Sequence, residues 1–350
     1  MIHRIGFITV NVVVPRLFRA VHDTGLKTRG TNPYLSGSGY KTDSNTSIQG
    51  RHTILDYIFF TRPVLFPPVW TIALLGARSV VYDPFPWWRW PVLFIQLACL
   101  FGAVYTLNQI FDVESDRINR KLFFLPERMI ALPMAWGFTV FLNIAALSLA
   151  ILLGKLYLAL SGVIVILGVL YSAGARPWKN RPAAGFLANI IAHGLIVYSM
   201  GVVFAGGNPI TNWLRPVAYA LAVGGVYLAT TVADRAGDQA SDKRTLAVVL
   251  GPRATMILAT SMVLAAAGLA AGEKDWWLTI AAACALPIFG WSAFGNSEIW
   301  ASRSAKAGVG ALTIAAAIAY PLYLLVLAAG FFCTRLFFHW RFGLSYPSFH

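Results

Sequence analysis

The chain has 350 residues, 57% of them hydrophobic and only 12% charged, with a net charge of +14. Soluble domains carry roughly 25% charged residues, so this composition excludes an ordinary soluble fold. It also removes nucleic acid as the reason for the positive charge, because the basic residues sit between apolar stretches, as positive-inside membrane topology requires.

Residues 1–52 read as a polar and basic N-terminal extension, flexible in its second part. Met1 to Ala20 is apolar but carries Arg4, Arg16 and Arg19, the pattern of a segment lying along a membrane surface. Ile5 to Val14 also resembles the apolar core of a signal peptide, without a small-residue cleavage site close behind. Nine apolar spans are then predicted, at about 55–80, 90–112, 129–152, 155–173, 183–206, 213–234, 253–272, 276–296 and 307–333. A helix of about 20 residues crosses a hydrocarbon core of ~30 Å. These spans define an all-α, polytopic membrane domain over residues 53–335, followed by a short tail, 336–350. Cys99, Cys284 and Cys333 fall in apolar stretches without ligand spacing, which leaves no disulfide framework or zinc site.

Topology follows from the loop charges. With the N-terminus in the cytoplasm, thirteen Lys and Arg residues fall in inside loops and five in outside loops. That bias predicts N-terminus in, C-terminus out and an odd number of spans.

Six of the fourteen acidic residues fall in two windows at the ends of the second and sixth spans. The first window runs from Asn108 through Asp112 and Glu114 to Asp116, with Glu127 in the loop beyond; the second holds Asp234, Asp238 and Asp242. Spacing of four places Asn108, Asp112 and Asp116 on one helical face, and Asp234 and Asp238 repeat it. An offset of 122 carries Asp112 onto Asp234, Asp116 onto Asp238 and Lys121 onto Lys243, the register expected of two related half-bundles. Carboxylates near membrane depth cost about 2.5–3.5 kcal/mol at a helix centre, so they face a cavity or a partner. Their hard oxygens suit Mg²⁺, which takes few protein ligands and shares its remaining positions with water and phosphate. A diphosphate is the natural third party, with Arg120, Lys121, Arg176, Lys179, Arg235 and Lys243 as contacts.

These residues resemble the UbiA-type intramembrane prenyltransferases. The Asn-x-x-x-Asp-x-x-x-Asp signature is matched by Asn108, Asp112 and Asp116, continuing to Asn119. The Asp-x-x-Gly-Asp signature with a following basic-Thr pair is matched by Asp234, Gly237, Asp238, Lys243, Arg244 and Thr245. The loop from Tyr171 through Arg176 to Lys179, and Arg62-Pro63 at the first span, also fit the pattern. Departures include Gln109, where many members have Asp, and Asp242, where a glycine is common. The resemblance implies a bundle around a central cavity that opens laterally to lipid. It implies Mg²⁺, with Mn²⁺ able to substitute, held by Asn108, Asp112, Asp116, Asp234 and Asp238, the four aspartates being the catalytic set. Substrate would be bound by Asn108, Arg62, Asn119, Lys121, Tyr171, Arg176, Lys179 and Lys243. The implied partners are a polyprenyl diphosphate, a lipid-soluble or amphipathic acceptor, aromatic or a quinone precursor, and membrane lipid, with no nucleic acid. Glycerol-phosphate and tetrapyrrole acceptors are alternatives. The expected location is the cell inner (plasma) membrane, with the active site facing the cytoplasm.

Within the fifth span, Asn189 and His193 share a face and either line the cavity or bond between helices. Tyr105 and Tyr227, related by the same offset, offer aromatic faces to a cation. A transporter is the competing class, but it requires its acids near the bilayer midplane, whereas both clusters here fall at one membrane face.

Overall fold

Inside lipid, backbone polar groups have no water to bond, so spanning segments fold as helices that satisfy those groups internally. The computed structural model describes residues 53–80, 86–118, 124–241, 243–295 and 297–347. Residues 1–52, Asn119, Arg120, Lys121 and Asp242, on which several expectations fall, lie outside the described residues. The long helices are α1 (Ile54–Arg78), α2 (Arg89–Ile118), α3 (Leu132–Leu153), α4 (Lys155–Ser172), α5 (Pro182–Phe204), α6 (Leu214–Ala240), α7 (Pro252–Gly272), α8 (Trp276–Phe294), α9 (Glu298–Ala319) and α10 (Tyr323–Phe342). Among the described residues, nine of them, all but α9, are long and apolar enough to cross a membrane.

The bundle packs around α6, whose apolar window is 78% buried, against 17% for the peripheral α10. Outward-facing Ile144, Ile166, Ile280, Leu325 and Leu336 are exposed, as a lipid-facing surface requires. Small residues let backbones meet: a Cβ on Gly201 of α5 would overlap the Ala73 carbonyl, and one on Gly76 of α1 would overlap that of Tyr198.

Helix α1 is interrupted near the site. Pro63 disfavours helical backbone at the residue before it, and Arg62 takes the left-handed conformation, φ 60° and ψ 59°. The Gln109 side chain donates to the Phe60 carbonyl at 2.9 Å, next to the break. The departure from the family signature at Gln109 is thus a buried strut rather than a lost ligand.

Two expectations at the C-terminal end need correction. The span predicted at 307–333 is two helices, because Pro321 cannot continue a helix and disfavours helical backbone at Tyr320, which is extended at φ −135°, ψ 83°. Hydropathy alone ran across this corner, and it missed the start of α9 because Glu298, Arg303 and Lys306 dilute its first turns. Helix α10 then continues past residue 336, where a tail was expected, to Phe342. It returns to the end of the bundle where α1 begins. Phe337 stacks on Phe59 at 3.8 Å, and Arg341 pairs with the fully buried Asp56, Nε to Oδ1 at 3.1 Å. The described C-terminus therefore lies at the same end as the start of α1, not opposite it.

Candidate active site

Helices α2 and α6 carry their acidic residues at one end only, and both deliver that end to one cavity of about 330 Å³. Asn108 and Asp112 of α2 line it together with Asp234 and Asp238 of α6. Asp116, one turn beyond Asp112, is buried at the same end of α2 but does not line the cavity. The wall deeper in the bundle is apolar and aromatic, with Phe101, Val104, Tyr105, Leu167 and Tyr227.

Two lysines close the acidic end. The loop after α4 carries a short 3-10 turn, Trp178–Asn180, that brings Lys179 Nζ to Asp112 Oδ1 at 2.7 Å. After α6 the chain folds back through a bond from the Lys243 backbone N–H to the Asp238 carbonyl, 2.9 Å. That return places Lys243 Nζ 3.8 Å from Asp112 Oδ2. Burial pulls the Lys179 ammonium below the ordinary lysine range, and Asp112 opposes that pull only in part. Burial acts on Lys243 in the same direction, but Asp112, Asp238 and Asp116 together outweigh it and hold its pKa above the usual value. The cluster thus keeps Lys243 charged.

Arg62 reaches the cavity from the break in α1, and Tyr171 from the end of α4. Asn108 donates to Ser172 Oγ at 3.5 Å, which ties α2 to the end of α4. Arg176 is exposed and does not line the cavity, and Arg235 is half-buried outside it. Among the described residues, the structure therefore gathers Asn108, Asp112, Asp234, Asp238, Arg62, Tyr171, Lys179 and Lys243, and leaves Arg176 apart.

The donor set suits a hard divalent cation. Carboxylate and amide oxygens face each other from two helices, yet among the described residues no three acidic, His or Cys side chains converge tightly enough to chelate an ion alone. That is the arrangement expected where phosphate oxygens and water complete the shell.

Thr71 of α1 and Thr313 of α9 also line the cavity, with hydroxyls 3.4 Å apart, and Tyr323 of α10 reaches Thr71 at 3.1 Å. Sequence reasoning missed all three, since isolated hydroxyls in apolar helices carry no spacing signal.

Comparison with known proteins matches the UbiA prenyltransferase family over residues 65–308. The 2-acylphloroglucinol 4-prenyltransferase of Humulus lupulus is 27% identical over 209 residues, 54% of this chain and 49% of that protein. The digeranylgeranylglyceryl phosphate synthase of Sulfolobus acidocaldarius is 28% identical over 176 residues, 48% of this chain and 59% of that protein. The matches thus span about half to three-fifths of the length of these relatives. Among solved structures, a UbiA homolog from Archaeoglobus fulgidus bound to GPP and Mg²⁺ superposes with a TM-score of 0.61 at 16% identity, covering 74% of this chain and 99% of that one. The apo UbiA homolog from Aeropyrum pernix K1 gives 0.57 at 20% identity, covering 78% and 99%. The matched segment contains both acidic helix ends, the lysines that close them and most of the cavity they share, and the chain belongs to the UbiA prenyltransferase family.

Proposed function

We propose that the protein transfers a prenyl chain from a prenyl diphosphate to an acceptor within the membrane, with a divalent cation required. The observation that carries this reading is the meeting of two acidic helix ends and two lysines at one end of an apolar, aromatic-walled cavity. Asn108, Asp112 and Asp116 on one side, and Asp234 and Asp238 on the other, would hold Mg²⁺, or Mn²⁺ in its place. The ion would neutralise charge on the departing diphosphate. Lys179, Lys243 and Arg62 supply fixed positive charge where that charge develops, which is worth most in a water-poor site. Tyr171 and Asn108 position the headgroup end, and the apolar wall keeps water from competing as nucleophile. Asn119 and Lys121, just beyond the end of α2, and Arg176 in the loop after α4 would make outer contacts to the diphosphate. The site faces the cytoplasm in this reading, since the basic loops gather at its end.

For the acceptor, we favour an aromatic or quinone-precursor ring. The similarity to a digeranylgeranylglyceryl phosphate synthase supports a glycerol-phosphate hydroxyl as the second reading. A transporter is disfavoured, because the acids gather at one end of the bundle and not at its middle. The test is purified protein with geranyl diphosphate and Mg²⁺, offered homogentisate and geranylgeranylglyceryl phosphate separately. Diphosphate release with a prenylated product, abolished by chelator, is expected. Full turnover in excess chelator would refute the metal-dependent reading.

A further inference from the structure

Helix α5 is not a plain α-helix. Residues Ile190–Ile196 form a π-helical turn between two α-helical halves, a feature that recurs at functional sites. The turn is held from behind, where a Cβ on Gly194 would lie 2.5 Å from Ala220 Cα of α6. His193 sits in this turn and lines the same cavity as the acidic ends. Its Nδ1 lies 3.3 Å from the Asn189 carbonyl, a partner that only an Nδ1–H can satisfy. Nε2 is then left as an acceptor, 3.5 Å from the Tyr105 hydroxyl. Tyr105 shares a face of α2 with Asn108 and Asp112, seven residues before Asp112 and about 10 Å deeper by helical rise. The pair thus lies in the cavity on the apolar side of the acidic end, the side toward which the prenyl chain would extend if the diphosphate rests at Asp112. Phe101 holds its ring 4.9 Å from the imidazole, which suits a cation.

We infer that Tyr105 and His193 form a proton-accepting pair that clears the acceptor's proton once the prenyl chain has been transferred. The inference rests on the functional reading above. The prenyl C–O bond breaks with its electron pair leaving on the diphosphate oxygen, and the new bond forms from the acceptor's ring carbon or hydroxyl oxygen to the prenyl carbon. The acceptor's proton passes to Tyr105 Oη as the tyrosine's own proton passes to His193 Nε2. The electron pair of the broken C–H or O–H bond stays on the acceptor. The imidazolium so formed has its Nδ1–H on the Asn189 carbonyl, and it returns its proton to water when the site reopens. The carboxylates, committed to metal and lysine, are not needed as the base.

His193→Gln and Tyr105→Phe keep the shape and remove the relay. Each is assayed beside wild type with Mg²⁺, geranyl diphosphate and the two acceptors named above, following diphosphate, prenylated product and geraniol. Wild type should give one product per diphosphate. The variants should keep KM for geranyl diphosphate within about twofold and lose product turnover about 100-fold, the scale of general-base catalysis. They should also release diphosphate in excess of product, because an adduct that cannot shed the acceptor's proton breaks its new bond again, and water captures the regenerated allylic cation as geraniol, losing a proton. Wild-type product turnover at a one-to-one ratio in both variants overturns the pair. So does an equal loss of diphosphate release and product together with a lowered melting temperature, which marks a packing role. A wild type that converts neither acceptor and releases no diphosphate overturns the functional reading itself, and this inference with it.

Discussion

Asp112 stands between two lysines. It is buried, it accepts from Lys179 at 2.7 Å, and Lys243 stands 3.8 Å from its other oxygen. Removing its charge leaves two lysines without their shared partner and takes one carboxylate from the metal's reach. Asp112→Asn and Asp234→Asn should each lower kcat/KM by roughly 100- to 1,000-fold, as removal of a preorganised electrostatic group does. Glu127→Gln should stay within about twofold, because Glu127 is exposed in the loop beyond α2. Steady-state kinetics on folded, purified variants decide this, and equal rates for Asp112→Asn and wild type would sink the assignment. A second check does not need turnover. Ligands that bind only the folded state raise its melting temperature, so Mg²⁺ with a non-hydrolysable prenyl diphosphate analogue should raise that of wild type and leave that of Asp112→Asn nearly unmoved.

At the scale of elements, the first and last helices are bound by one buried pair. Asp56 is fully buried, and it takes Arg341 Nε at 3.1 Å on one oxygen and Nη2 at 3.3 Å on the other. Breaking a buried pair from one side costs about 3–5 kcal/mol because the survivor keeps its desolvation penalty, while removing both charges costs far less. Arg341→Met and Asp56→Asn should therefore each lower the melting temperature strongly, and the double variant should recover much of the loss. Additive single effects would show that the pair is not coupled. This contact was not legible in the sequence, since nothing in the spacing of Asp56 and Arg341 announces a partner 285 residues away. The acidic windows were legible for the opposite reason: their meaning is local. Spacing of four on a helix fixes a face, and charge at membrane depth demands a cavity. The same locality explains the error at the last spans. Hydropathy averages over a window and does not see Pro321, whereas the backbone must turn there. His193 was ambiguous for a similar reason, because whether a polar residue lines a cavity or bonds a neighbouring helix depends on packing that no periodicity encodes; here it does both.

At the scale of the whole molecule, sidedness joins the fold to the chemistry. A diphosphate can be gripped by α2 and α6 together only if both helices end at one aqueous face. The structure adds a constraint that loop charges did not predict: α10 turns back, so Arg341 and the residues after it join that face as well. The basic loop residues Arg176, Lys179, Lys243 and Arg244 gather there, while the opposite end shows Arg215 turned inward, donating to the Glu273 carbonyl at 2.7 Å. In the proposed reading, positive-inside bias makes the acidic end cytoplasmic. Single cysteines placed at the exposed positions Ala175, Gln239 and Ser345, in a background without the three native cysteines, should all react with a membrane-impermeant thiol reagent from the cytoplasmic side. Cysteines at Asn208 and Lys274, in the turns after α5 and α7, should react from the other side. Ser345 is the discriminating position. An odd number of crossings would put it with Asn208 and Lys274, whereas the pairing of Arg341 with Asp56 and the stacking of Phe337 on Phe59 put it with Ala175 and Gln239. If Ala175 and Gln239 reported opposite faces, α2 and α6 could not share a diphosphate, and the enzyme reading would give way to a transporter.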